Sequence, residues 1–387
     1  MLEGHTFRAL LDSSLKLSPV YQYHELLHNL PGPAFLFASG AAFSLATLAH
    51  WDDYRRWGTR LAQRLIRFAA LLAIGYMLHL TYFSFRRTLA EGTTDQFLYL
   101  FSMDILQCIA AGALLLQFLV WILPGRQWFF RATVLLGVAT GLVAPSVWLI
   151  SKDLPWWLGT HGSGHWGSVF PLFPYVGFQL AGAAWGYLHA ESRRKEADRE
   201  AKDAEGQFLS QTRTWSVRLI GVSLFAAFLP LPEAYSDFWM TAPWFFFLRV
   251  GVLSFLLAMF RVAESRLVPS MGAMVLIGAA TVRERARQSW LLLGMGAVAL
   301  LGRESLLVYV CHLLLLHGSA LNPDRNLLKL LGTTRPAGDT ALVLLLLTGA
   351  MIALCWGWGR LKQQHRWPAM GVQWSLAGYL VYVFLSR

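Results

Sequence analysis

The sequence predicts an all-α fold, a polytopic integral membrane helix bundle of about ten transmembrane helices. Three observations predict it. Of 387 residues, 56% are hydrophobic and 14% are charged, and mean hydropathy is +0.45; soluble chains carry about 25% charged residues. Apolar stretches long enough to cross about 30 Å of hydrocarbon recur along the whole chain. Lysine and arginine gather in every second loop between those stretches, as the positive-inside rule requires.

The expected spans are 33–50, 65–83, 97–123, 129–150, 169–189, 216–232, 244–260, 290–317, 340–358 and 371–386. A shorter apolar piece, "LVPSMGAMVLIGAA" at 267–280, is too short to cross with ease and reads as re-entrant or interfacial. Loops 51–67, 124–131, 190–218, 261–289 and 359–370 hold 22 Lys/Arg residues, and the alternate loops hold six. The first set is therefore placed in the cytoplasm. Loop 190–214 is polar all round and reads as a solvated cytoplasmic linker inside a single transmembrane domain, 1–387. Seventeen tryptophans suit interfacial belts. The net charge of +11 sits between the spans, so it implies the lipid bilayer as partner and no nucleic acid. Cys108, Cys311 and Cys355 fall within apolar segments and imply no disulfide framework. Glycine pairs Gly182/Gly186 and Gly137/Gly141 are spaced for close helix approach.

Polar residues inside apolar spans are costly and point to function. The densest run is "RESLLVYVCH", 303–312. At about 100° per residue, Ser305, Tyr309 and His312 share one stripe, facing either a cavity or a helix–helix seam. Arg303 and Glu304 then need other partners, or the helix is interrupted near Gly302. Asp104 and Gln107 are three apart and share a face of one helix. Gln179 sits mid-span, and Arg249 lies near the outer end of its span. An Asp104 pair with Arg249 or Arg303 is a further expectation.

Histidine takes the opposite side from lysine and arginine. On the expected topology His5, His24, His28, His161 and His165 lie in outer loops, and His79, His312 and His317 lie toward outer helix ends. Clustered imidazoles suit proton transfer or metal chemistry. "HELLH" at 24–28 also matches the zincin order H-E-x-x-H, with His161 or His165 as third ligand.

"GHTF", "PGPAFLFASGAAF", "MDILQCIA", "FPLFPYVGFQLAGAAWG" and "GRESLLVYVCHLLLL" follow one another in this order. The combination resembles the bacterial branch of the heparan-α-glucosaminide N-acetyltransferase catalytic-domain family, within a wider set of transmembrane acyltransferases. The resemblance is clearest over 1–317. It implies an enzyme that moves an acetyl or other acyl group from cytoplasmic acyl-CoA to a hydroxyl or amine of a glycan or small-molecule acceptor across the membrane. It further implies acetyl-CoA or another acyl-CoA as co-substrate, no metal, and residence in a bacterial cytoplasmic (inner) membrane; a homo-oligomer is compatible with it. Relatives usually begin with a helix carrying Asp and Arg-Gly. That helix is expected upstream of Met1, which would make eleven spans. Glu304 departs from the neutral polar residue common in relatives. The resemblance places the functional histidine in the outer segment, where His24 is the first choice by its spacing to "PGPAFLF", and His5 and His28 compete with it. Asp104, Gln107, Arg249, Arg303, Ser305, Tyr309 and His312 are expected to line the cavity. Arg55, Arg56 and Arg60 are expected either to hold the CoA phosphates or only to set topology. A transporter or exporter of a small or lipid-linked substrate, a membrane zinc protease built on HELLH, and a non-catalytic scaffold are the alternative readings.

Overall fold

The computed structural model describes residues 1–198, 203–229, 238–276, 296–364 and 366–386. In chain order the helices are α1 (Leu2–Leu10), α2 (Ser13–Lys16), α3 (Pro19–His28), α4 (Pro31–Ala49), α5 (Trp51–Arg55), α6 (Thr59–His79) and α7 (Phe85–Glu91). Then come α8 (Thr94–Phe101), α9 (Ile105–Ile122), α10 (Arg126–Ser151), α11 (Trp156–Gly162), α12 (Leu172–Ala197), α13 (Ala204–Ala226), α14 (Phe238–Thr241) and α15 (Pro243–Leu276). The chain continues with α16 (Gly296–Arg303), α17 (Ser305–Leu316), α18 (Leu327–Leu331), α19 (Ala337–Gln364) and α20 (Arg366–Ser386). The all-α expectation holds among the described residues, where the extended backbone pairs only at an isolated bridge between Leu11 and Arg335.

Among the described residues, six helices are long and apolar enough to cross a membrane, or up to seven if the bent pair α16 and α17 counts as one. The six lie in α4, α6, α9, α10, α15 and α19. This is fewer than the ten expected. α12 is the instructive difference. It is 26 residues long, yet beside Val176, Phe178 and Leu180 its buried face is mostly Gly, Ala, Gln, Tyr and Trp, because it packs closely on protein and needs few aliphatic side chains. Expected span 371–386 corresponds to a shorter apolar helix, Gly371–Ser386. The piece expected to be re-entrant begins as a continuation of α15 through Leu276, and 277–280 lies outside the described residues. Much of the polar linker is helical, since α12 runs to Ala197 and α13 starts at Ala204.

The chain forms two compact units. One comprises residues 30–77 and 94–270 and is built around α12. Its core gathers Phe43, Trp51, Leu116, Phe129, Leu180 and Tyr187. α4 lies so close to α12 that a Cβ at Gly182 would overlap the Phe37 carbonyl, and one at Gly40 the Gln179 carbonyl. The hydroxyl of Ser44 on α4 donates to the Ala183 carbonyl at 2.7 Å across the same contact. Gln179 Nε2 donates to the Ile109 carbonyl on α9 at 3.1 Å. Arg64 is buried, with Nη1 donating to Thr47 Oγ1 at 3.0 Å and Gln117 Oε1 at 3.1 Å, and its guanidinium 3.2 Å from the Tyr54 ring centre.

In the same unit the single helix expected over 97–123 is two helices, parted at 102–104. Asp104 is not within the span: it has extended backbone (φ −111°, ψ −179°) and caps α9, accepting from the Ile105 amide at 2.7 Å. The break is stable because its freed backbone groups find partners, as apolar surroundings demand. The Met103 amide donates to Ser168 Oγ at 2.7 Å, and the Met103 carbonyl accepts from the amides of Val169 and Phe170, both at 3.0 Å.

The second unit comprises residues 1–29, 78–93 and 271–387. α1 packs on α17, α18 and α19. Leu10 and Leu316 are fully buried among Leu327, Leu328, Leu331 and Val343, and Val308, Leu347, Met351 and Cys355 form a second core cluster. The span expected over 290–317 is not straight. α16 and α17 meet at 82°, with Glu304 at the corner (φ −101°, ψ 27°). Glu304 is buried, and Lys362 Nζ lies 2.5 Å from its Oε1 with Arg303 Nε at 3.5 Å. The expected interruption near Gly302 is therefore present, while Arg303 finds its partner in the neighbouring Glu304, which Lys362 shares.

Candidate active site around α1

Residues two apart on a helix point about 200° apart. Glu3 and His5 therefore occupy opposite faces of α1, and each face meets a different group of histidines. His24 and His28, one turn apart on α3, share a face. Glu3 contacts both: Oε1 meets His24 Nε2, and Oε2 lies 2.7 Å from His28 Nε2. The two Nε2 atoms are 2.8 Å apart. α1 can come this near because residue 4 is glycine; a Cβ there would overlap the His28 ring. Phe7 and Tyr21 flank the His24 ring at 5.8 and 5.5 Å between centroids. His24 Nδ1 is buried and accepts or donates no hydrogen bond among the described residues.

Electrostatics separates these groups from Glu25. Burial holds the His28 imidazole below its usual pKa, with the Glu3 charge pulling the other way. Burial would raise the Glu25 carboxyl, but the hydrogen bond and charge of Arg8, with the Tyr21 hydroxyl, together hold it below the usual carboxylate range. Arg8 Nη2 lies 2.6 Å from Glu25 Oε2. A zincin needs that glutamate free beside the metal to activate water, so the protease reading of HELLH finds its general base taken by Arg8.

On the other face of α1, the His5 ring lies 5.2 Å from His312 and 6.1 Å from His317. His312 is fully buried on α17, and the Tyr309 ring is 5.8 Å from it, edge to face. His312 Nδ1 is 2.7 Å from the Val308 carbonyl. A carbonyl only accepts, so Nδ1 carries the proton and Nε2 holds a lone pair. That Nε2 is buried and without a hydrogen-bond partner among the described residues. Ser305 opens α17 half-buried, so the expected stripe is present, with Tyr309 and His312 as its buried part.

The remaining expected residues lie in the unit built on α12. Gln107 is fully buried against Gly75, and neither its Oε1 nor its Nε2 has a partner among the described residues. Arg249 is buried with its guanidinium 3.9 Å from the Phe245 ring centre. His165 packs edge-on to Trp148, and His161 Nδ1 lies 3.2 Å from Thr160 Oγ1. The third donor beside His24 and His28 is Glu3, a residue the sequence reading did not single out. Its only sequence signal is its place two residues before His5. A cleft of about 370 Å³ lies at α5 and its turn into α6, lined by Asp52, Asp53, Arg56, Trp57, Gly58, Thr59 and Arg60, with Arg60 Nη1 2.6 Å from Asp53 Oδ2. Arg55 turns instead toward the Pro124 carbonyl at 3.5 Å.

A family model described as heparan-alpha-glucosaminide N-acetyltransferase, catalytic, matches residues 5–217. The match takes in His5, His24, His28, Asp104 and Gln107 and covers more than half of the chain. No curated protein matches the sequence. No solved structure matches it either. With a family match of that extent over a bundle of apolar helices, the chain belongs to the heparan-alpha-glucosaminide N-acetyltransferase catalytic family and is a membrane-bound acyltransferase.

Proposed function

We propose that the enzyme transfers an acetyl or other acyl group from acyl-CoA to an amine or hydroxyl of a glycan or related small acceptor, with His24 as general base. The observation that carries this is the Glu3 carboxylate seated on His24 Nε2 while His24 Nδ1 has no partner among the described residues. A carboxylate that accepts the Nε2 proton fixes the tautomer and leaves the lone pair on Nδ1. Nδ1 then takes the proton of the acceptor N–H or O–H as its heteroatom attacks the thioester carbonyl. The C–S bond breaks, and the imidazolium returns its proton to the departing thiolate. Glu3 acts through His24 and is a positioning residue.

The donor's phosphates would meet Arg56 and Arg60 at the cleft by α5, a region for which the Lys/Arg asymmetry supports a cytoplasmic position. Ten spans, with α12, α13 and α20 crossing as protein-packed or short helices, carry that topology, and a bacterial cytoplasmic membrane is the setting it fits. Ser305, Tyr309 and His312, on the helix that faces His5, are the polar groups available to line an acceptor path in the unit that holds α1; Gln107 and Arg249 are buried polar groups of the unit built on α12.

His24→Ala and His5→Ala, assayed separately in membranes with labelled acetyl-CoA and candidate glycans, test the assignment. We expect His24→Ala to lose about 10²-fold or more in transfer. Full transfer by His24→Ala with loss in His5→Ala moves the base to the His5–His312 group. Full transfer by both variants removes outer histidines from the mechanism.

A further inference from the structure

We propose that Glu3, His24 and His28 form a binding site for a divalent transition metal of the zinc type, and that an ion there switches acyl transfer off. The inference rests on the reading of His24 as base, and concerns control of that same site.

With Glu3 ionised, hydrogen bonding alone cannot satisfy the cluster. Three contacts close a ring: Glu3 with His24 Nε2, Glu3 with His28 Nε2, and the two Nε2 atoms with each other at 2.8 Å. Both carboxylate contacts ask for a proton on each Nε2. Two protonated nitrogens facing each other at 2.8 Å would then oppose N–H to N–H. If either nitrogen gives up its proton, it meets a carboxylate oxygen lone pair to lone pair. One cation in the centre replaces all three contacts together. The ligand atoms lie within 2.8 Å of one another along those contacts, and donors about 2.0–2.2 Å from one tetrahedral ion stand about 3.3–3.6 Å apart, so the three side chains need to spread by under about 1 Å on average to admit it.

The donor set chooses the ion. Two imidazoles and one carboxylate suit Zn²⁺ and its neighbours better than Mg²⁺ or Ca²⁺, which prefer all-oxygen shells. The site is also a weak one by construction. Ligating histidines usually donate their other N–H to an acceptor, and loss of such a partner costs about 10–100-fold in affinity. His24 Nδ1 has none. An exchangeable ion fits this better than a permanent structural one.

The consequence for catalysis follows from the tautomer. A metal on Nε2 requires the ring proton on Nδ1. The lone pair that would accept the acceptor's proton is then gone, and Glu3 is withdrawn from positioning to coordination. Occupancy and base catalysis are mutually exclusive at His24.

The experiment uses the full chain purified in detergent and stripped with a chelator. Zn²⁺ is titrated in competition with a chromophoric chelator, and Co²⁺ substitution reads coordination by its visible absorption. We expect one site per chain, weakened at least tenfold in Glu3→Gln, in His24→Ala and in His28→Ala, and unchanged in His317→Ala. X-ray absorption on the zinc-loaded wild-type protein, which needs no variant to fold, should show two imidazoles and oxygen in the first shell. Absence of stoichiometric binding, or a first shell without two imidazoles, overturns the proposal. Transfer is then measured with and without zinc. Stoichiometric binding at these ligands with unaltered transfer overturns the switch and removes His24 as base. No binding, together with inactive His24→Ala, overturns the metal site and leaves the base in place.

Discussion

Gly186→Ala tests the close contact between α4 and α12. A Cβ on residue 186 would sit 2.5 Å from the Ala41 carbonyl oxygen and 2.8 Å from the Ala41 Cα. Carbon contacts settle at about 3.5–4.0 Å, so the helices must part by about 1 Å. The obstructing atoms are backbone and cannot rotate away. Overpacking of this kind costs about 1–3 kcal/mol. Alanine's better helix propensity offsets about 1 kcal/mol of it. Gly182→Ala should cost more, because its Cβ would overlap the Phe37 carbonyl directly. Gly137→Ala is the internal control. It belongs to the other glycine pair, but its Cβ would have nothing nearer than Leu180 Cβ at 3.5 Å. There the propensity gain stands alone, about 1 kcal/mol of stabilisation. Unfolding of each variant in the same mixed micelles should rank Gly137→Ala above wild type and Gly186→Ala and Gly182→Ala below it. Equal stability of Gly186→Ala and Gly137→Ala would refute the backbone-contact argument.

Two further outcomes follow from groups already described. Gln107→Leu should be neutral or stabilising by about 1–2 kcal/mol, because both amide atoms are buried without partners; a fall in transfer alongside unchanged or raised stability would mark Gln107 as a functional polar group, and a clear loss of stability would show that its amide is satisfied. Acidification should loosen the packing of α3 on α1. The folded-state pKa of His28 is depressed, so the unfolded chain binds the proton first and stability falls as pH drops below about 6.5. The depressed Glu25 carboxyl adds a second loss, beginning as pH falls below about 4.3. Hydrogen exchange across residues 1–28, corrected for the intrinsic pH dependence of exchange, should show protection rising with pH through the first window, and a flat profile would contradict it. Arg8→Ala should abolish the second loss alone.

Helix class, the membrane setting and most span positions were legible in the sequence, because apolar length is a local property. α4, α10 and α19 lie where hydropathy puts them. The break at Ser102–Asp104 was not legible. It depends on Ser168, Val169 and Phe170, which approach from far along the chain. The corner at Glu304 was half visible: Gly302 hinted at an interruption, while Lys362 as partner lies 58 residues away. At the site, i,i+4 spacing placed His24 and His28 together, as any helix would. Glu3 was invisible, since a glutamate near a terminus reads as solvated until the contact of α1 with α3 is known. Gly4 shows the same limit, because its meaning is the space that His28 needs. α12 lies where the sequence places a helix over 169–189, but its many buried Gly, Ala, Gln and aromatic residues beside Val176 and Leu180 keep it less apolar than the six long spans.

The nine-residue α1 carries Glu3 on one side and His5 on the other. A sideways displacement of the whole helix that brought the carboxylate deeper between His24 and His28 would by the same distance draw the opposite imidazole back from His312 and His317, so the spacing of one set of rings is tied to that of the other through a single backbone.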